Sequence, residues 1–236
     1  MMEDLLVKLQ LEKTQLLSSV LAIEDSDRSR TLQRVQALKE LLEEIELVAA
    51  AVGPVVADAD AGVNPNPAVL TEQFYASYLV IVLLAQNLND ARFLWKRIPS
   101  ETKQLSDLLP SVWSIGKALW KRDFAASYAA MNRDWPEGVR ELIALLREST
   151  RESAAELLGV AYSTIPLKEA AVALGFDDES ALVAYCKSLE WDVSLETKLL
   201  HPKPLPRSAP ELSSLQQLES ISNYVLHLEE QTTIKL

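Results

Sequence analysis

The chain has 236 residues, 48% hydrophobic and 24% charged, with a formal net charge of -11. Length and apolar content supply the core of one large or two small domains and exclude disorder as the general state. The acidic balance argues against a nucleic-acid binder, which gathers positive charge to displace counterions from phosphates.

Six glycines and abundant Leu, Ala, Glu and Lys favour helix over sheet, since these side chains lose little rotamer freedom in a helix. A mostly helical protein is expected. The single cysteine, Cys186, forms no internal disulfide, so nothing points to an oxidising compartment. The start, MMEDLL, lacks the basic segment of a signal peptide. The apolar run at 78–85 has eight residues, far below the roughly 20 that cross a bilayer as a helix. The expected location is cytoplasmic and nuclear, with no membrane partner.

Residues 1–52 read as a helical pair. Leu5, Leu6, Leu9, Leu16, Leu17 and Val20 recur at helical spacing, as do Leu32, Val35, Leu38, Leu42 and Ile45 after a polar break at 24–27. Such a pair folds back on the protein's own core or extends as a coiled coil for a partner. Residues 53–67 read as a linker, with Pro54, Pro65 and Pro67 each removing a backbone donor. Asp58 and Asp60 have a calcium-loop spacing without the further carboxylates or closing Glu, so no metal site is expected.

Residues 68–150 read as helical repeats, with helices at 68–86, 90–98, 111–121, 124–131 and 136–146 joined by short connections. The 89–124 stretch holds NDARFLWKRIP and SVWSIGKALWKRDF, with three of the five tryptophans interleaved with lysine and arginine. Trp113 and Trp120 are seven apart and share a helix face, with Gly116 between them giving room for close helix approach. Trp95, Trp113, Trp120 and Phe124 are expected to be structural core. A base-stacking platform is the weaker reading, because Lys96 and Arg97 fit solvated flanks.

Residues 151–201 change pattern. A helix at 151–162 leads to Ser163 and Thr164, which cap a helix opening at Pro166 and ending at Gly175. Asp177, Asp178 and Glu179 start another helix, running to about Glu190. Short strands follow at 191–193 and 198–201, with Ile165 available as a third. Helix, turn, helix, hairpin is the order of a winged-helix subdomain. Its groove-entering helix carries Asp177, Asp178, Glu179 and Glu190 against one Lys187, so phosphates repel it and a protein-binding wing is expected.

Residues 202–210 form a proline-rich connector to an amphipathic helix in 211–236. Its stripe of Leu212, Leu215, Leu218, Ile221, Val225 and Leu228 invites a helical partner.

Chemistry finds no residues to carry it. His201 and His227 have no ligand spacing; HExxH, HxH, CxxC, a Walker loop and GxGxxG are absent. Cys186 reads as a small packing residue, and Glu40, Glu43, Glu44, Glu229 and Glu230 as solvated helix faces. No catalytic residue, cofactor or metal ligand is named, and no enzyme is expected.

The two tryptophan blocks, with AYSTI at 161–165, LGF at 174–176, the Trp191 turn and the Lys203, Pro204 pair, closely resemble the family of the eighth, smallest subunit of the COP-nine signalosome. The resemblance covers roughly 74–204, leaving the first 70 or so residues and the 53–67 linker as departures. It implies a PCI-type fold, helical repeats followed by a winged helix, in a noncatalytic subunit of the hetero-oligomeric complex that removes Nedd8 from cullins. It also implies that the strand with Lys198, Leu199 and Leu200 joins a sheet shared with other PCI subunits, while the terminal helix enters a common bundle. The small PCI subunit of the proteasome lid is the nearest rival; a winged-helix nucleic-acid binder is a more distant one.

Overall fold

A computed structural model describes residues 2–21, 28–52, 70–104, 107–194, 197–204, 218–219 and 221–226. The chain divides into two units, Met1–Leu205 and Pro206–Leu236.

In the first unit, α1 (Met2–Leu21) packs against α2 (Arg28–Val52), burying Leu6, Leu9 and Val20 with Val35, Leu38, Leu42 and Ile45. The pair lies on the protein's own core, because α2 also packs on α3 (Glu72–Leu84). Helix α3 buries ten residues between Phe74 and Leu84, on every face. A helix apolar all round must be enclosed, and α2, α4, α6 and α8 enclose this one. Thr71 starts it, its hydroxyl accepting the Phe74 N–H at 3.2 Å.

Asn87 caps α4 (Leu88–Arg97) and Asp123 caps α7 (Phe124–Met131), each through a side-chain oxygen. Between them lie the short α5 (Ser100–Gln104), in a stretch read from sequence as connection, and α6 (Leu108–Trp120).

The sequence reading ended one helix at 146 and began another at 151. The structure has a single 25-residue helix there, α8 (Glu137–Ala161). The polar run at 147–153 contains neither Gly nor Pro, so nothing breaks it. Thr150 satisfies its hydroxyl by donating to the Leu146 carbonyl one turn back, at 2.7 Å. The 150/151 boundary therefore falls inside α8.

Two cores form along that helix. Val139, Leu142, Ile143 and Leu146 join the large core of α1–α7; Ala154, Ala155 and Leu158 join a smaller one with Ile165, Leu174, Leu182, Cys186, Trp191 and Leu200. The smaller core lies under α9 (Leu167–Leu174), α10 (Glu179–Ser188) and three short strands. These are β1 (Ile165–Pro166), β2 (Asp192–Ser194) and β3 (Leu199–His201). The sheet is antiparallel with order β1-β3-β2, and Leu200 lies opposite both Ile165 and Val193.

Ser163 and Thr164 do not cap α9. Pro166 occupies its N-cap position without a side-chain bond, and the Leu167 N–H donates across to the Lys198 carbonyl at 3.0 Å. Extended backbone at β1 carries Thr164 towards β3 instead, its hydroxyl 3.1 Å from His201 Nδ1. Gly175 ends α9 in the left-handed conformation, φ 66°. The Tyr128 ring of α7 lies so close that a Cβ there would stand 2.5 Å from it.

In the second unit, Leu218, Glu219 and residues 221–226 are helical. Leu212, Leu215, Leu228 and His227 lie outside the described residues, as does the 53–67 linker with Asp58 and Asp60.

Gly175→Ala combines a positive φ, costing about 1–2 kcal/mol for an L side chain, with a collision against Tyr128. It is expected to destabilise the chain by at least about 2 kcal/mol in urea unfolding. Gly138→Ala, whose Cβ meets nothing within 4 Å, is expected to be neutral or stabilising. Equal midpoints for the two variants would contradict this account of Gly175.

Candidate partner-binding surfaces

Sheet order decides what the strands offer. β3 lies in the centre, so both of its sides are already paired. Lys198 is exposed, but its carbonyl is taken by the Leu167 N–H; Leu199 is half-buried, and Leu200 is fully buried in the smaller core. The strand at 198–200 therefore cannot pair with a partner's backbone. Hairpin order is legible in sequence, but on which side of the hairpin Ile165 docks is not, and it docks on β3. Among the described residues, the edges that no strand pairs belong to β1 and β2. β1 has two residues, one of them Pro166 without an N–H, leaving Asp192–Ser194 as the edge able to take another strand.

The aromatic stretch separates into two parts. Trp95 of α4 stacks on Trp113 of α6, ring centres 5.3 Å apart and planes 7° from parallel, with Lys103 Nζ 4.9 Å from the Trp95 centroid. Both are half-buried against the large core, and Phe124 packs against both cores. Trp120 departs from the expectation: it is 48% exposed. Seven residues return to the same face but advance about 10 Å along the axis. There α4 presents Arg92 where it presented Trp95 to Trp113, and the guanidinium carbon covers the Trp120 ring at 5.7 Å while solvent keeps the rest. Trp120 is thus a rim residue, and periodicity alone could not reveal which α4 residue it meets.

Two cations fasten the N-terminal helices to this region. Arg97 donates through Nε to Glu46 at 2.9 Å and through a second nitrogen to the other carboxylate oxygen, while Lys39 of α2 pairs with Asp90 of α4. Arg97 was read from sequence as a solvated flank; its partner is 51 residues away, beyond any local pattern.

Among the described residues, no group of three or more His, Cys, Asp or Glu is arranged to hold a metal ion. His201 is exposed, its Nδ1 near the Thr164 hydroxyl and the Ser163 carbonyl at 3.1 and 3.3 Å. Burial pushes the Cys186 thiol up to about 11, the opposite of what a nucleophile needs. An open groove of about 390 Å³ lies between α9, α10 and β3, floored by Leu167, Ala171 and Leu182 and flanked by Lys168 and Asp177. Its polar lining is Lys168, Asp177, Glu179, Thr197 and Lys198, with no histidine or cysteine among them.

The profile of the CSN8/PSMD8/EIF3K family matches residues 69–211, from the start of α3 past the end of β3. The chain belongs to that family. Among its relatives, COP9 signalosome complex subunit 8 of Danio rerio is 34% identical over 163 residues, spanning 68% of this chain and 85% of the relative. The Xenopus tropicalis protein of the same name is 32% identical over 197 residues, 82% of this chain and 93% of the relative. That of Arabidopsis thaliana is 30% identical over 156 residues, 66% and 79%. The Xenopus tropicalis match is longer than the whole of 70–236, so it reaches into the first 70 residues, which the sequence reading set outside the family. The family match itself takes in the smaller core, the three-stranded sheet and the part of the large core that α3–α8 supply, but not the part from α1 and α2.

Buried acids make the fold sensitive to alkali. Burial raises Cys186 from an ordinary 9.0 to about 11, and Tyr128 and Tyr185 from 10.0 to about 12. Each is neutral in the folded chain while the unfolded chain releases its proton earlier. The stability they contribute is therefore complete below about pH 9 and lost as pH rises through 9–12. The urea midpoint is expected to fall across that window, with Cys186 inert to iodoacetamide at pH 8 until unfolding. Stoichiometric alkylation of the folded protein at pH 8 would overturn the burial argument.

Proposed function

We propose that this chain is a noncatalytic scaffold subunit of a COP9 signalosome, supporting assembly of the complex that removes Nedd8 from cullins and so regulates cullin-RING ubiquitin ligases. The observation that carries it is the match to COP9 signalosome complex subunit 8 over 85% of the Danio rerio protein and 93% of the Xenopus tropicalis one. Those names favour the signalosome over the proteasome lid. The absence of a catalytic constellation in the sequence agrees with an assembly role, the protease lying in another subunit.

In this reading α9, α10 and the three strands form the winged helix of a PCI-type fold, with α1–α8 as the preceding helical repeats. The wing reaches other PCI subunits through the outer edge of β2 rather than through Lys198, Leu199 and Leu200. The 211–236 segment is an amphipathic helix entering a shared bundle. Leu218, Ile221 and Val225 support this, being helical and exposed in the second unit, where a partner would have to cover them. The complex works in the cytoplasm and nucleus, without nucleic acid or membrane as a partner.

Ile221→Asp with Val225→Asp introduces charge on that exposed face while leaving the cores of the first unit untouched. The variant is expected to keep its circular dichroism spectrum and to lose co-purification with the other subunits. Full recovery of the complex by the variant would sink the proposed interface; a wild-type chain that co-purifies with no PCI subunit would sink the function.

A further inference from the structure

Four cations on the outer side of α4 and α6 lack an anionic partner among the described residues, and the proposed assembly role does not use them. Residues 88–122 carry seven Lys or Arg against three Asp or Glu, in a chain whose totals are 23 against 34. Some of these cations are engaged: Arg97 by Glu46, Lys103 over Trp95. Arg92, Lys96, Lys117 and Lys121 are exposed and make no ion pair with any described residue.

Helix geometry gathers them. With about 100° per residue, the outward side of α4, opposite Ala91, Leu94 and Ile98, presents Arg92 and Phe93 with Lys96 between them. On α6 the same spacing puts Lys117 beside Trp120 and Lys121 one turn beyond Lys117. Arg92 lies over the Trp120 ring and joins the two helices into one ridge. Two large aromatic side chains stand out of it, Trp120 at 48% and Phe93 at 61% exposure.

We infer that this ridge is a docking surface for an acidic polypeptide segment carrying an aromatic or aliphatic side chain, whose carboxylates meet Arg92, Lys96, Lys117 and Lys121 while its apolar side chain covers Trp120 or Phe93. Charge complementarity sets the sign of the occupant, because unpaired cations in an acidic chain repel basic and attract acidic segments. The exposed rings set its second requirement: rigid aromatic area beside Arg is the composition of interface anchors. A nucleic-acid strand fits less well, since a net charge of -11 repels a phosphate run beyond the ridge. The surface uses neither β2 nor the helical residues of the second unit, so it is independent of the assembly interfaces proposed above.

The full chain panned against a random 12-residue peptide library, with Arg92→Glu/Lys117→Glu as the counter-selecting variant, tests this. The expected outcome is enrichment of peptides combining Asp or Glu with Phe, Trp or Leu. Their affinity should fall at least tenfold for the double variant, fall for Phe93→Ala, and stay unchanged for Lys198→Glu. Trp120 emission should shift to the blue on binding. Peptides without acidic enrichment, equal binding by the folded double variant, or tighter binding of a 12-nucleotide single strand than of any enriched peptide would each overturn the inference. If the double variant loses its circular dichroism spectrum, Phe93→Ala and Lys96→Glu decide in its place.

Discussion

The structure depends on α8 being one helix. Its first half buries Val139, Leu142, Ile143 and Leu146 in the large core, and its second half buries Ala154, Ala155 and Leu158 in the small one. Two bodies joined by a loop would need an extensive interface to hold their relation, whereas α-helical hydrogen bonding fixes rise and rotation at every residue. Each core thereby sets the direction in which the other faces. The helix also carries the tie between them: Arg151 Nε donates to the Leu174 carbonyl at 2.9 Å, and its guanidinium lies 4.1 Å from the Phe176 ring centre. Gly175 lets the Tyr128 ring sit directly against the turn that Arg151 holds, so α7, α8 and α9 meet at one place. Phe124 touches both cores from the start of α7.

Charge is used unequally in this acidic chain. Arg97, Lys39 and Arg151 each bind an acceptor on another element, where a hydrogen bond to a charged group is worth about 1.5–3 kcal/mol net. These are ties between helices whose apolar faces already meet, so they set register more than they drive collapse. Glu148 is a different case. It pairs with Arg151 on its own helix at 2.9 Å, an exposed carboxylate whose role is to hold the guanidinium in aim. Cations without such acceptors add little to folding, which is why those on the outer side of α4 and α6 call for a different explanation.

What was legible in the sequence was local. Gly175 ends α9, Asp178 starts α10 and the 124–131 helix lies where its spacing put it, because a cap or a left-handed glycine acts within one turn. What was not legible needed a neighbour. A polar run at 147–153 looks like an interruption until the helix is seen to have one solvated face there, with Thr150 bonded back along it. Trp120 has the periodicity of Trp113 and a different environment, because Arg92 rather than another ring faces it. Ser163 and Thr164 are good capping residues by type, yet Pro166 takes the N-cap position and the Thr164 hydroxyl lies against His201 of β3. At Trp120 and at Ser163 and Thr164 a non-local contact outweighed a local preference of a few tenths of a kcal/mol to about 1 kcal/mol.

The small sheet illustrates how topology outranks composition in setting what a surface can do. β3 carries two leucines, and the family resemblance implied that this strand is offered to a partner. Antiparallel pairing on both sides consumes its backbone and sends Leu200 into the core instead. Among the described residues, β2, with Asp192 at its start bound to Lys203 at 3.1 Å, keeps an outer edge that no other strand pairs. Three residues and a charged end are the features that blunt an edge against indiscriminate pairing. Strand addition there yields few main-chain hydrogen bonds, too few to select a partner, so specificity must come from side chains around the edge and from other surfaces engaged at the same time. If the proposed β2 interface holds, a subunit built on so short an edge would be held by several weak contacts acting together, and loss of any one would weaken the assembly far more than its own buried area suggests.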